Sequence, residues 1–345
     1  MAGGFNKFRW LLIPVLLGVT VFFLRWPGAA VPDGPDSPGE REMEFEPLSA
    51  KAVTVLGCGI DETGMLTDVI ILGRFDLETD RISLLQIPRD TYIGDGYVTG
   101  KINAVYGHPK GDSGIQELKT LVEKQLQLPI DYTATITLSG LRSMVDAMGG
   151  VEVEVPFQME YLPGMVLEEG KQRLNGEQAE WFIRYRKGYA TGDIGRLGAQ
   201  KEFLHGVLDA VRREGRLKSI QILLDHAGEV KTDLPLGQMA SLANRAYQVP
   251  DSGVEFYLLP GRGTYHNGYS VYEADREALA DLLNEAFRPV GEEVPPSQLE
   301  VAAVPLPPPE PEEPASEEEQ PIEESAGEGN LPGDLIENPS AFPTD

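Results

Sequence analysis

The sequence predicts a three-layer α/β/α domain built on a central mixed β-sheet. Three observations predict it: short apolar, β-branched runs recur along the middle of the chain, segments with helical spacing stand between them, and capping or turn residues mark the changeovers. The chain is also long enough, at 345 residues with 41% hydrophobic content, to bury a substantial core.

The elements follow in order. Ala52 to Leu56 (AVTVL) is a strand that runs into Gly57-Cys58-Gly59. Val69 to Leu72 and Ile82 to Ile87 are two more, with Asp76 to Asp80 as a hairpin-like turn between them. Ile115 to Leu126 has helical spacing. Tyr132 to Leu138 (YTATITL) alternates and is β-branched, so it reads as a strand. Leu141 to Met148 reads as a helix closed by Gly149-Gly150, and Val151 to Val155 (VEVEV) as a half-exposed strand. Asn175 with Gln178 forms a capping box, opening a helix that runs through Trp181 to about Tyr185. Further helical patterns cover 196–213, 218–228, 235–247 and 273–287, with one more strand at Val254 to Leu259.

Charge and cysteine content exclude several classes. The formal charge is −26, and 15 of the 55 acidic residues fall between Gly291 and Asp345, where there is no Lys or Arg. Duplex DNA binding draws its affinity from Lys and Arg on phosphates, so a nucleic-acid partner is not expected. The single cysteine, Cys58, rules out an internal disulfide or a multi-cysteine zinc site, and in its strand–turn setting it reads as a small buried residue.

Composition divides the chain into four parts. Residues 1–30 hold Lys7 and Arg9 ahead of an apolar run, Trp10 to Leu24. A helix of that length spans about 22 Å, so it needs its flanking Trp and Arg in the interface to cross a bilayer. The expected location is the cell membrane, single-pass, with the N-terminus inside and the rest outside; the alternative is a cleaved signal peptide with Gly28, Ala29 and Ala30 at its small-residue site. Residues 31–50, rich in Pro and acid, read as a flexible linker. Residues 51–290 form the folded domain. Residues 291–345, rich in Pro and Glu, read as a disordered tail.

Several polar residues stand at strand or helix ends. Asp61 follows the first strand and Asp68 opens the second; such a pair can share a hard cation such as Mg²⁺, or simply serve as turn residues. Arg89, in Ile87-Pro88-Arg89-Asp90, is presented at the end of the third strand, where sites in α/β sheets usually lie, or pairs with Asp90 at the surface. Lys101 and Asn103 follow a Gly-rich loop; Lys101 is a compact cation suited to phosphate. Arg184 and Arg186 leave a helix end, where they suit either the helix dipole or phosphate oxygens. Asp193, Arg196 and Gln200 follow, the last two spaced to share one helix face.

Taken together these segments resemble the LytR-CpsA-Psr family of cell-wall glycopolymer ligases. The matching stretches are GIDETGMLTDVIIL (59–72), ISLLQIPRDTYI (82–93), KINAVYG (101–107), PIDYTATITLSGLRSMVDAMGGVEVEV (129–155) and EGKQRLNGEQAEWFIRYRKGYATGDIGRLGAQKEFL (169–204). The resemblance implies an α/β/α fold and a reaction dependent on Mg²⁺ (or Mn²⁺). In that reaction a glycopolymer passes from a polyprenyl-diphosphate carrier to peptidoglycan, and polyprenyl phosphate is released. Teichoic acid, capsule and other wall polysaccharides are the polymers it implies. It assigns Asp61 and Asp68 to the metal and the catalytic centre, with Arg89, Arg184 and Arg186. Arg89, Lys101, Asn103, Arg184, Arg186, Arg196 and Gln200 go to the diphosphate, with Asp193 in the same motif. This chain departs from the family pattern in having Glu62 after Asp61, Leu66 before Thr67-Asp68, Gln86 before the IPRD segment and Ala199 before Gln200. The departures near Asp61 keep a non-catalytic, lipid-carrier-binding regulator as an alternative, and a lipid pyrophosphatase would use the same residues. A transcriptional attenuator is the further role the family name implies, against which the exported acidic domain speaks.

Overall fold

The computed structural model describes Phe45 and residues 48–111, 113–189 and 193–305. The expected membrane segment, most of the linker and the chain beyond 305 lie outside the described residues, among which no helix is long and apolar enough to cross a membrane.

Six strands form the central sheet: β1 (Ala52–Ile60), β2 (Thr67–Asp76), β3 (Arg81–Gln86), β4 (Tyr132–Thr137), β9 (Val230–Thr232) and β10 (Val254–Leu258). Their order is β10-β3-β2-β1-β4-β9. The sheet is mixed, as expected: β1 runs antiparallel to β2 and parallel to β4, β2 antiparallel to β3, β3 parallel to β10, and β4 antiparallel to β9. So β1, β3, β4 and β10 point one way, and their carboxyl ends share one edge of the sheet. Register pairs Ile60 with both Thr67 and Thr137 at that edge.

Side chains alternate between two apolar cores, because the sheet is covered on both faces. Val53, Val55, Ile71 and Leu84 face one core, which is completed by helices α2 (Leu138–Ala147), α3 (Gly176–Arg184), α4 (Asp193–Glu214), α5 (Arg216–Asp225) and α6 (Leu236–Gln248). Leu56, Cys58, Ile70, Leu72 and Leu85 face the other, under α1 (Gly114–Leu126) and α7 (Arg276–Ala286). Helix α3 opens on the expected capping box, Asn175 with Gln178.

Val151 to Val155, here β5, is the half-exposed strand expected, and it pairs with β8 (Gly170–Leu174) in a ribbon apart from the central sheet. Another such ribbon is β6 (Met159–Glu160) with β7 (Val166–Leu167). The helix expected from residue 273 begins at Arg276, after an Asp275 cap whose side chain accepts from the Ala278 amide. The residues before it form a hairpin, β11 (Gly261–His266) and β12 (Tyr269–Ala274), turned at Asn267-Gly268 with φ 49° and 81°. That pair of positive φ angles is what a two-residue hairpin loop demands. Finally, the fold does not stop at 290: Leu299 and Val301 are buried against the α1–α7 core, and the Glu300 amide donates to the Gln125 carbonyl at 3.1 Å. Isolated apolar residues in a Pro- and acid-rich stretch are invisible to composition, and two of them are enough to seat the strap.

Leu299→Ala is therefore expected to destabilise the domain by about 2–4 kcal/mol, the cost of a cavity at a well-packed leucine. Urea unfolding checks this, and a chain ended at Val290 should lose at least as much while one ended at Pro305 keeps parental stability.

Candidate functional site

The shared strand edge carries an apolar cavity with charged groups at its mouth. It lies between β1, β2 and β4 on one side and α2, α3 and α4 on the other. Ile60, Val69, Ile71, Ile136, Leu138, Leu141, Ile183, Phe203 and Leu204 line it, and Asp68, Thr135, Thr137, Arg184 and Gln200 are the polar residues of its lining. Cys58 also lines it; burial pushes its thiol up, so it stays protonated and inert, as its setting in the sequence implied.

Each charge at the mouth is held by a named partner. Asp68, the second residue of β2, accepts from Arg89 Nη1 at 2.5 Å. Arg89 leaves β3 just past Pro88, and its Nε lies 3.6 Å from Asp90 Oδ2. Asp90 in turn takes Lys101 Nζ at 2.8 Å. Asn103 is buried and donates its backbone N–H to the Arg89 carbonyl at 3.1 Å. The segment of Lys101 and Asn103 thus braces the arginine loop.

Arg184 ends α3. Its Nη1 donates to Glu180 Oε1 at 2.8 Å, one turn back, and its guanidinium lies 5.8 Å above the centre of the Tyr161 ring. Glu180, only 5% exposed, also accepts from Arg142 Nη1 of α2 at 2.5 Å. A lone buried carboxylate would be costly; between two guanidiniums it is paired on both sides. The two helices can bring these groups together because Gly176 lies against the Arg142 backbone, where a Cβ would come within 2.3 Å of the carbonyl oxygen. Glu62 Oε1 approaches Arg184 Nη1 from the solvent side at 3.6 Å. Burial works against the Arg184 charge, but Glu180 and Glu62 outweigh it and its pKa is raised.

Asp61 holds its own loop together. Its Oδ1 accepts from the Met65 and Leu66 amides, both at 3.0 Å, and its Oδ2 from the Thr63 hydroxyl at 2.7 Å. Burial tends to raise its pKa, yet these hydrogen bonds together lower it. Gln200 accepts from Gln86 Nε2 at 2.7 Å and donates to the Ile183 carbonyl at 3.4 Å. The residue that departs from the family pattern at 86 therefore ties β3 to α4, and Gln200 supports the turn that carries Arg184. Arg196 is buried near the start of α4, Arg186 is exposed just beyond α3, and the Asp193 side chain lies outside the described residues.

The structure thus gathers Asp68, Arg184 and Gln200 at one mouth, with Arg89 bonded to Asp68 and Lys101 and Asn103 behind Arg89. It sets Asp61 to one side, reaching the mouth through its neighbour Glu62. Among the described residues no three His, Cys, Asp or Glu side chains cluster as a closed metal cage. Sequence reasoning missed Glu180 and Tyr161. Glu180 carried a usable signal, since it stands four residues before Arg184 on a capped helix. Tyr161, on the β6–β7 ribbon, carried none.

A model of the LytR_cpsA_psr family matches residues 33–288. The chain belongs to the LytR-CpsA-Psr family. Two relatives are named polyisoprenyl-teichoic acid–peptidoglycan teichoic acid transferases. TagU of Bacillus subtilis (strain 168) is 29% identical over 267 residues, which is 74% of this chain and 84% of TagU. TagV of the same strain is 30% identical over 251 residues, 68% of this chain and 63% of TagV. The crystal structure of B. subtilis TagV superposes with a TM-score of 0.59 at 26% identity, covering 68% of this chain and 95% of TagV. TagT bound to LI-WTA gives 0.57 at 25% identity, covering 71% of this chain and 93% of TagT. The mixed α/β fold described above is that of the LytR-CpsA-Psr structures.

Two predictions follow from the ion pairs. Glu180→Ala leaves two guanidiniums facing a void and should cost about 3–5 kcal/mol, whereas Glu62→Ala, an exposed pair, should cost no more than about 1 kcal/mol; thermal unfolding separates them. The Asp61 contribution has a pH signature. Its folded pKa lies below the ordinary 3.8, so the stability it adds is complete above that value and lost as the pH falls through the folded one. The stability gap between the parent and Asp61→Asn should be full at neutral pH and close on acidification below 3.8.

Proposed function

We propose that this protein is an extracytoplasmic transferase that moves a teichoic acid or another wall glycopolymer from a polyprenyl-diphosphate carrier to peptidoglycan. The observation that carries the reading is the joining of an apolar cavity to an arginine-bearing mouth. That shape and chemistry suit an amphiphile with an isoprenoid chain and a doubly anionic head, and the named activity of the relatives suits the same donor.

In this reading the isoprenoid enters between the sheet and α2–α4, and Arg184 and Arg89 neutralise diphosphate oxygens as charge develops. Gln200 and Gln86 keep the Arg184 turn in place. A peptidoglycan sugar hydroxyl attacks the phosphorus that bears the glycan. The new bond is sugar oxygen to phosphorus; the bond that breaks is from that phosphorus to the oxygen bridging the two phosphates, and polyprenyl phosphate leaves. Asp68 takes the hydroxyl proton: it lines the cavity and Arg89 engages its Oδ1, whereas Asp61 lies off the lining with both oxygens bonded within its loop. A divalent cation, Mg²⁺ or Mn²⁺, supplies further charge neutralisation to the diphosphate when bound. Asp68 would offer it one carboxylate at the mouth, which fits the way Mg²⁺ is held when phosphates and water complete its shell; Asp61, assigned to the metal by the family resemblance, has both oxygens bonded within its loop and would have to release them to join. Arg186, Arg196 and Lys101 extend the positive side of the site, and a membrane-anchored N-terminus keeps it near the carrier.

The test uses the full chain in detergent, a synthetic polyprenyl-diphosphate oligosaccharide and short peptidoglycan chains, with and without Mg²⁺. Mass spectrometry should find polyprenyl phosphate and a sugar-phosphate joined to the acceptor, dependent on the cation. Arg184→Ala and Asp68→Asn should each lower turnover by about 100-fold, the scale of losing one preorganised charge contact, with the fold intact. Polyprenyl phosphate without a joined product would make the protein a pyrophosphatase, and binding without cleavage a carrier-binding regulator.

A further inference from the structure

Two carboxylates share one nitrogen of Arg184, and they differ in every other respect. Glu180 Oε1 takes Nη1 at 2.8 Å from the protein side and is 5% exposed. Glu62 Oε1 lies 3.6 Å from the same nitrogen on the solvent side and is 61% exposed. The Tyr161 ring stands 5.8 Å over the guanidinium, so Glu62 meets it at an edge.

The charge balance separates the two carboxylates further. Glu180 also holds Arg142 Nη1, so one buried carboxylate serves two guanidiniums. That cluster keeps one positive charge in surplus, and Glu62 is the group that cancels it. Beside it, Asp68, Arg89, Asp90 and Lys101 hold two charges of each sign. An anion that reaches Arg184 therefore takes the place of Glu62. Taking the place of Glu180 would strand a buried carboxylate and a second arginine.

The loop is built for that exchange. Asp61 fixes the backbone around Glu62: its Oδ1 accepts from the Met65 and Leu66 amides, both at 3.0 Å, and its own amide donates to the Leu66 carbonyl at 2.9 Å. Among the described residues, by contrast, the Glu62 side chain has Arg184 as its ion-pair partner and makes no hydrogen bond. Side-chain rotation alone turns it away, with the loop intact and only an exposed pair lost.

We propose that Glu62 is the displaceable counter-ion of Arg184: it holds the guanidinium between turnovers, gives way to the diphosphate of the donor, and returns to compete with the phosphate of the departing lipid. The identity of the anion rests on the transferase reading above. That reading creates the problem the counter-ion solves. Donor and product share one isoprenoid, so the cavity grips both alike, and an arginine without a competitor would keep the product. A returning carboxylate loosens that hold.

The test uses the full chain in detergent and three lipids built on one chain: geranylgeraniol, its monophosphate and its diphosphate. Glu62→Gln should bind both phosphates about two- to fivefold tighter than the parent, the scale of one exposed ion pair, with the alcohol unchanged. The gain should appear as slower dissociation in stopped-flow displacement, and should shrink as salt rises from about 0.05 to about 1 M. Glu78→Gln is the matched control. Glu78 is 60% exposed and pairs with Lys51 at 3.2 Å, in the β2–β3 turn at the opposite edge of the sheet. The same loss of charge there should leave all three affinities unchanged. An equal gain in Glu78→Gln, or a gain carried only by faster association, overturns the proposal. A parent that prefers the diphosphate but does not respond to Glu62→Gln sinks the counter-ion alone. A parent that binds the alcohol as tightly as the diphosphate sinks the transferase reading, and the counter-ion with it.

Discussion

A guanidinium at the lip of an apolar cavity cannot stay there alone. The cavity wall takes away water that would solvate it, and the protein must return that solvation with carboxylates. Arg184 at this mouth and Arg89 beside it both obey the constraint, in different ways. Arg184 leans on the buried Glu180, which Arg142 also engages, so a three-member ion cluster welds α2 to α3. Arg89 leans on Asp68, so a loop after β3 is tied to the start of β2. The ionic groups that make the mouth chemically useful are also those that fasten the elements around it.

The sheet explains why they meet at all. With β1, β3, β4 and β10 all pointing one way, their exits fall on a single edge, and the reversal at β2 brings Asp68 to that same edge. Gln86, the last residue of β3, then reaches Gln200 in α4, which reaches the last turn of α3. The Arg184 turn is therefore positioned from the sheet through two amides. Glu62 is the exception among the partners: it is exposed, sits farther from Arg184 than Glu180 does, and is free to yield to an anion entering the mouth.

What the sequence revealed follows from how local each signal was. Alternation and β-branching located β1 to β4, and the Asn175–Gln178 box located the helix that ends at Arg184, because both are decided within a few residues. Asp68, Arg89, Arg184 and Gln200 were visible because their motifs come in order. Glu180 was overlooked because its importance lies in Arg142, 38 residues away in sequence. The helical pattern from 273 overlaps only the last two residues of β12, because the apolar spacing of the helix that starts at Arg276 does not show where the Asp275 cap separates it from the strand. The start of the tail was misjudged because burial of Leu299 and Val301 depends on a groove that only the folded domain provides.

The central claim is that cavity and arginine mouth hold one amphiphile. A crystal structure of the domain soaked with a short-chain polyprenyl diphosphate tests it most directly. The account predicts isoprene units between β1–β4 and Leu141, Ile183 and Phe203, with phosphate oxygens on Arg184 and Arg89. A lipid bound elsewhere, or a cavity that stays closed while the diphosphate sits on exposed lysines, would contradict it.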